Sequence, residues 1–135
     1  MTFTPALAAA SLYAGLNMLI LLALTVAVIR QRQALKVAVG DGGHASLMRV
    51  MRGHANGAEN APVALLLLVL AALIGAPVAA VHGLGVMLTL GRGLHAWHFT
   101  HEGAPMWQRQ WGALLTMIVQ ILAALGLIGH GLGAL

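Results

Sequence analysis

The hydrophobic pattern divides the chain into long apolar stretches broken by short polar ones. Residues 1–29 contain no Lys, Arg, Asp or Glu, and Arg30 and Arg32 follow directly. A hydrocarbon core ~30 Å thick needs ~20 helical residues, so a first membrane span is predicted over about residues 4–30. A secretory signal would carry a basic n-region and a shorter apolar run, so this segment is expected to be a retained helix. From Arg30 to about Ala45 the chain is at its most polar, with Arg30, Arg32, Lys36 and Asp41 ahead of Gly42-Gly43. That stretch reads as an exposed loop. No formally charged residue then occurs between Glu59 and Arg92. This is too long for one span, and Gly75-Ala76-Pro77 stands near its middle as a turn signal, since proline ends or kinks a helix. The predicted helices cover about residues 4–30, 46–74, 77–100 and 106–134. Together they form a single domain over 1–135, an all-α integral membrane four-helix bundle. Trp107 and Trp111, one helical turn apart, open the fourth helix where an interfacial aromatic anchor belongs.

Composition sharpens this picture. The chain is 60% hydrophobic and 7% charged, against about a quarter charged in soluble domains. With no cysteine, disulfides, thiolate metal sites and a cysteine nucleophile are excluded. The net charge of +4 comes from seven basic and three acidic residues. The basic residues stand at helix ends and form no dense patch, so nucleic acid is not an expected partner. The loop after the first span carries Arg30, Arg32 and Lys36, and the Gly75 hairpin carries no basic residue. The positive-inside rule therefore puts that loop in the cytoplasm and both termini on the non-cytoplasmic side.

The candidate chemistry lies in polar residues within the spans. Arg52, Asn56 and Glu59 are spaced i, i+4, i+7 on one face of the second helix, and Arg92 and His95 share a face of the third with Phe99. Glu59 lies 16 residues before Gly75 and Arg92 lies 17 after it. At 1.5 Å per residue both sit roughly 25 Å from the hairpin. The same count sets Asn56 level with His95 and Arg52 level with Phe99, with Arg30 and Arg109 at about that depth. A charge at the bilayer centre costs about 2.5–3.5 kcal/mol, so Glu59 and Arg92 are expected to pair. Arg30, Arg52, Arg92 and Arg109 would then converge on one buried acid and leave surplus positive charge, which calls for an anionic ligand. His95, His98 and His101 recur at i, i+3, i+6 beside Glu102, but that spacing drifts around a helix and no metal site is expected. Gly126, Gly129 and Gly133 form a small-residue surface on the fourth helix, of the kind that lets helices associate.

The run Arg49-Val50-Met51-Arg52-Gly53-His54-Ala55-Asn56-Gly57-Ala58-Glu59-Asn60-Ala61-Pro62 resembles the signature of the MAPEG family, the membrane-associated proteins of eicosanoid and glutathione metabolism. Gly91-Arg92-Gly93-Leu94-His95-Ala96 is a second match in the expected place, and Gly75-Ala76-Pro77 and Arg30 fit as well. The resemblance implies a homotrimer of four-helix protomers, of bacterial inner-membrane type, with glutathione bound from the cytoplasmic side between neighbouring subunits. Arg30, Asn56, Glu59, Arg92, His95 and Arg109 fall on or near the family's glutathione-contacting positions, and Arg52 shares the face of Asn56 and Glu59. Glutathione carries two carboxylates, which suit arginines, and one ammonium, which suits Glu59; Asn56 can donate to and accept from its peptide groups. Arg109 is the candidate catalytic residue, stabilising the cofactor's thiolate. The chain departs from the family pattern at Phe99, where eicosanoid-handling relatives often carry a tyrosine, and at Ala55, where some members have a further arginine. The expected function is a glutathione-dependent transferase or peroxidase acting on lipophilic electrophiles that enter from the lipid. The alternative is a non-catalytic member that binds an anionic ligand or lipid, or serves as a structural subunit of a larger membrane complex.

Overall fold

A computed structural model describes residues 3–135 as four helices: α1 (Pro5–Leu35), α2 (Ala45–Leu73), α3 (Val78–Thr100) and α4 (Met106–Ala134). The fold is all-α. By length and composition α1, α2 and α4 can each cross a membrane. α3 is the shortest of the four, at 23 residues, and carries Arg92, His95 and His98, all three buried in the bundle.

Helix boundaries follow local chemistry. Thr4 caps α1, its hydroxyl oxygen accepting from the Leu7 amide at 3.2 Å, with Pro5 at the first helical position. The other end of α1 corrects the expected boundary near residue 30. The helix continues through Arg30, Gln31, Arg32 and Gln33 to Leu35, since Arg, Gln, Ala and Leu all favour helix. Polarity there ends the apolar span without ending the helix. Lys36 then takes a left-handed conformation, φ 55°, and the Val37 amide reaches back to the Arg32 carbonyl at 3.1 Å. The hairpin between α2 and α3 closes in the same way. Gly75, φ +89°, allows its own amide to bond the Ala72 carbonyl at 3.3 Å and the Ala76 amide to bond that of Ala71 at 2.9 Å. Pro77 starts α3.

α2 and α3 form the centre of the bundle. α1 packs on both from one side and α4 on both from the other, and α1 and α4 do not touch among the described residues. The interior is built largely from small side chains. Ala6, Ala9 and Ala10 meet Tyr13, Leu68, Ala72 and Val81 near the hairpin end, and Ala64, Leu88 and Val119 form a second cluster. Glycines mark the closest approaches. The Tyr13 ring lies on Gly85, and a Cβ at Gly53 would fall 2.5 Å from that of Phe99. A Cβ at Gly112 would fall 2.7 Å from the Gly91 carbonyl oxygen and 2.8 Å from the His95 amide, so α3 and α4 are in backbone contact there. Large apolar residues such as Leu19, Leu66, Ile121 and Leu125 point outward, as a lipid-facing surface requires.

Candidate functional site

At the end of the bundle away from the hairpin, α2, α3 and α4 enclose a hollow of about 180 Å³. α2 contributes Arg52, Ala55, Asn56 and Glu59, α3 contributes His95 and Phe99, and α4 contributes Arg109 and Ala113. The helical repeat explains this lining, because each set is spaced three or four residues apart on one face. The Gly91–Gly112 contact holds His95 close against α4. Arg52, Glu59 and Arg109 are exposed at this hollow, while His95 is buried. The Nδ1 of His95 has no partner among the described residues.

Arg92 lies behind this wall and is also buried. Its Nη1 donates to Asn56 Oδ1 at 2.9 Å, which corrects the expected pairing with Glu59. Counting from the hairpin compares depth along the helices and says nothing of rotation about their axes. Rotation turns Asn56 towards Arg92 and leaves Glu59 facing the hollow.

The expected convergence of four arginines also needs correction. Arg30 borders a separate notch of about 360 Å³ with Ala23, Val26, Ala27, Gln31, Val50 and Thr100. That notch is on the α1 side of the bundle, across the α2–α3 layer from the polar hollow. Depth again matched while direction did not.

Phe99 has a structural part that the sequence did not reveal. Its ring centroid lies 5.6 Å from the guanidinium carbon of Arg109 and 5.9 Å from that of Arg49, and it tilts against the His95 ring at 4.9 Å. Arg49 also donates to the carbonyls of His98 and His101, satisfying acceptors at the end of α3. In the sequence Arg49 stood out only as the first residue of the run that resembles the MAPEG signature. Its position, as far before Gly75 as His101 lies after it, was the available signal.

The histidine series splits apart. His98 Nδ1 is 3.2 Å from the Pro105 carbonyl, while His101 stacks on Trp97 at 3.8 Å, with its Nδ1 3.1 Å from that residue's carbonyl. Only His95 of the three lines the hollow. His54 pairs with Thr25 on α1 at 3.1 Å, tying α2 to α1 away from the hollow. Among the described residues no group of three His, Asp or Glu side chains is placed to hold a metal ion. Asn17 and Thr89, not singled out from the sequence, bond to each other inside the bundle at 2.9 Å. A lone asparagine in an apolar span was their signal.

Comparison with known proteins adds to this geometry. Residues 10–129 match the MAPEG family. The chain belongs to the MAPEG family. It is similar to the inner membrane protein YecN of Escherichia coli K12, at 36% identity over 114 residues, covering 81% of this chain and 86% of that protein. The same figures hold for YecN of E. coli O6:H1 strain CFT073. In this MAPEG chain the run from Arg49 to Pro62 builds the α2 wall of the hollow. Pro62 stands inside α2, which continues to Leu73.

Proposed function

We propose that this MAPEG protein is a membrane-bound glutathione-dependent transferase or peroxidase acting on lipophilic electrophiles. The observation that carries the reading is the single hollow where Arg52, Arg109 and Glu59 stand exposed around Asn56 and His95. Both signs of charge are available within one small space. Glutathione offers the matching set: carboxylates for Arg52 and for the Arg30 of a neighbouring copy, an ammonium for Glu59, and peptide groups for Asn56. Arg109 serves the thiol, whose ionisation a nearby guanidinium favours. In transfer, the thiol releases its proton, a sulfur–carbon bond forms, and the leaving group departs with its electron pair. In the peroxidase reaction two thiols are oxidised to one disulfide as a hydroperoxide is reduced to alcohol and water.

The site is completed in a homotrimer in the bacterial inner membrane, with the hollow towards the cytoplasm and both termini on the other side. A hollow of about 180 Å³ is below the roughly 300–1,000 Å³ of ligand pockets, which suits a site that a neighbouring copy enlarges. Arg30 faces outward on the α1 side and reaches a hollow only in a neighbouring copy. Gly126, Gly129 and Gly133 on α4 have open space around them, which suits close helix approach between subunits. The location in an inner membrane is supported by the similarity to YecN.

A second reading, a non-catalytic MAPEG protein that binds an anionic ligand or lipid or serves a larger complex, is favoured by Phe99. That side chain brings no hydroxyl to the hollow and instead seats two arginines. Calorimetry on the detergent-purified protein separates the readings. The expected result is glutathione binding that is lost in Glu59→Ala and Arg92→Ala. Absence of binding by the wild type at millimolar glutathione ends the transferase reading. Arg109→Ala is expected to keep most of the binding and lose turnover of a generic electrophile by about 10²-fold. Binding without any turnover in the wild type selects the second reading.

A further inference from the structure

The interface of α1, α2 and α3 holds polar atoms that play no part in the hollow. Asn17 on α1 is buried, at 2% exposure, and its Nδ2 donates to the Tyr13 carbonyl and to the Thr89 hydroxyl oxygen, both at 2.9 Å. The partners fix which way this amide points. A carbonyl oxygen can only accept, and the Thr89 hydroxyl has committed its proton to the Gly85 carbonyl at 2.8 Å. The Asn17 atom that faces both must be the nitrogen, which leaves Oδ1 as the free end. That oxygen is buried without a partner among the described residues, and so is Nη2 of Arg92. Asn17 and Arg92 both border one cavity of about 10 Å³, with Leu21, Leu24 and Gly57 among its walls.

We propose that this cavity is the binding site of a single ordered water. The water accepts from Arg92 Nη2 and donates to Asn17 Oδ1. At about 10 Å³ the cavity has room for a water, and buried waters normally bond two to four polar groups. One orphan donor and one orphan acceptor meet that requirement. A chloride ion fits less well, being larger and repelled by the amide oxygen. Among the described residues no acidic side chain lines the cavity to neutralise the guanidinium directly. Left unfilled, the cavity would strand a charged donor in the bundle interior, which is far costlier than ordering one water. With the water in place, Arg92 acts as a bridge. Nη1 holds Asn56 in the wall of the polar hollow, and Nη2 reaches α1 through the water. The inference stands apart from the glutathione reading, since no atom of the hollow's open face enters it.

Crystals of the full chain grown from lipid, at a resolution that orders waters and with bromide replacing chloride, test the proposal directly. A density peak within hydrogen-bond distance of both atoms and without anomalous signal is expected. An empty cavity or a bromide peak overturns it. A solution test uses Gly57, where an added methyl would stand 3.7 Å from Arg92 Nη2. Gly57→Ala and Asn17→Leu each remove the same water, so each is expected to lower Tm by several degrees. The double variant should then lose clearly less than the sum of the two. Strictly additive losses overturn the shared water. Because that methyl also presses on Leu21 and Leu24 at 3.2 Å and 3.4 Å, the overlap of the two losses is the decisive reading, and the wild-type crystal stands if either variant fails to fold.

Discussion

The hollow at the hairpin end and the hollow at the loop end are both walled by α2, α3 and α4, yet their linings differ sharply. The hairpin hollow is about twice as large, some 370 Å³, and is lined by residues such as Ala71, Pro77, Leu84, Leu122 and Gly126, with His130 its one titratable group. The loop hollow of about 180 Å³ carries two arginines, a glutamate, an asparagine and a histidine. Size alone would select the hairpin end, and chemistry selects the loop end. In a bilayer an apolar recess is filled by lipid chains without special chemistry. Charges placed along a span are costly and call for an explanation. The packing differs as well. Backbones of α3 and α4 touch at Gly91 and Gly112 beside the polar hollow, whereas Gly126 at the apolar one has open space.

The largest effect expected is on that packing contrast. Gly112→Leu drives a side chain into the backbone of α3, and overpacking of this kind costs about 1–3 kcal/mol or more. Thermal melting in detergent should fall markedly, while Gly126→Leu leaves it nearly unchanged. Equal tolerance at both sites would show that the α3–α4 contact is loose. A smaller effect distinguishes the two hollows by ligand. Glu59→Gln removes an exposed charge, so stability holds, but glutathione binding weakens by roughly tenfold or more, as charged hydrogen bonds are worth about 1.5–3 kcal/mol. Ala80→Leu, in the apolar hollow, leaves calorimetric binding unaltered. The reverse pattern would move the ligand to the hairpin end. The smallest effect concerns Phe99. A cation–π contact at an exposed site contributes about 0.5–1 kcal/mol, so Phe99→Leu, by unseating Arg109, lowers turnover a few-fold, whereas Phe99→Tyr keeps the ring and the rate. Equal loss in both variants would remove the ring face from the account.

Much of the scaffold was legible because two periodicities spoke clearly. Apolar runs marked the four helices, and Gly75 with Pro77 marked the hairpin. The three-to-four-residue spacing put Arg52, Asn56 and Glu59 on one wall, and His95 with Arg109 stand opposite them as depth counting suggested. What depth could not supply was rotation. Whether Arg92 meets Asn56 or Glu59 depends on how α2 and α3 turn against each other. Contacts between distant positions, such as Gly53 on Phe99, govern that rotation, and no local pattern records them. Arg30 was misplaced for the same reason. The run of α1 to Leu35 escaped because the expectation equated the end of the apolar stretch with the end of the helix. Asn17 escaped because one polar residue in a long span makes no pattern.

The separation of α1 from α4 has a consequence for assembly. Arg30 belongs to the α1 flank and the polar hollow opens beside α4, so a contact that brings them together across copies joins two unlike surfaces. Such a junction is heterologous: each chain gives through one flank and receives through the other. A head-to-tail series of this kind either runs on as a filament or closes into a ring. Only closure leaves no hollow without its donor.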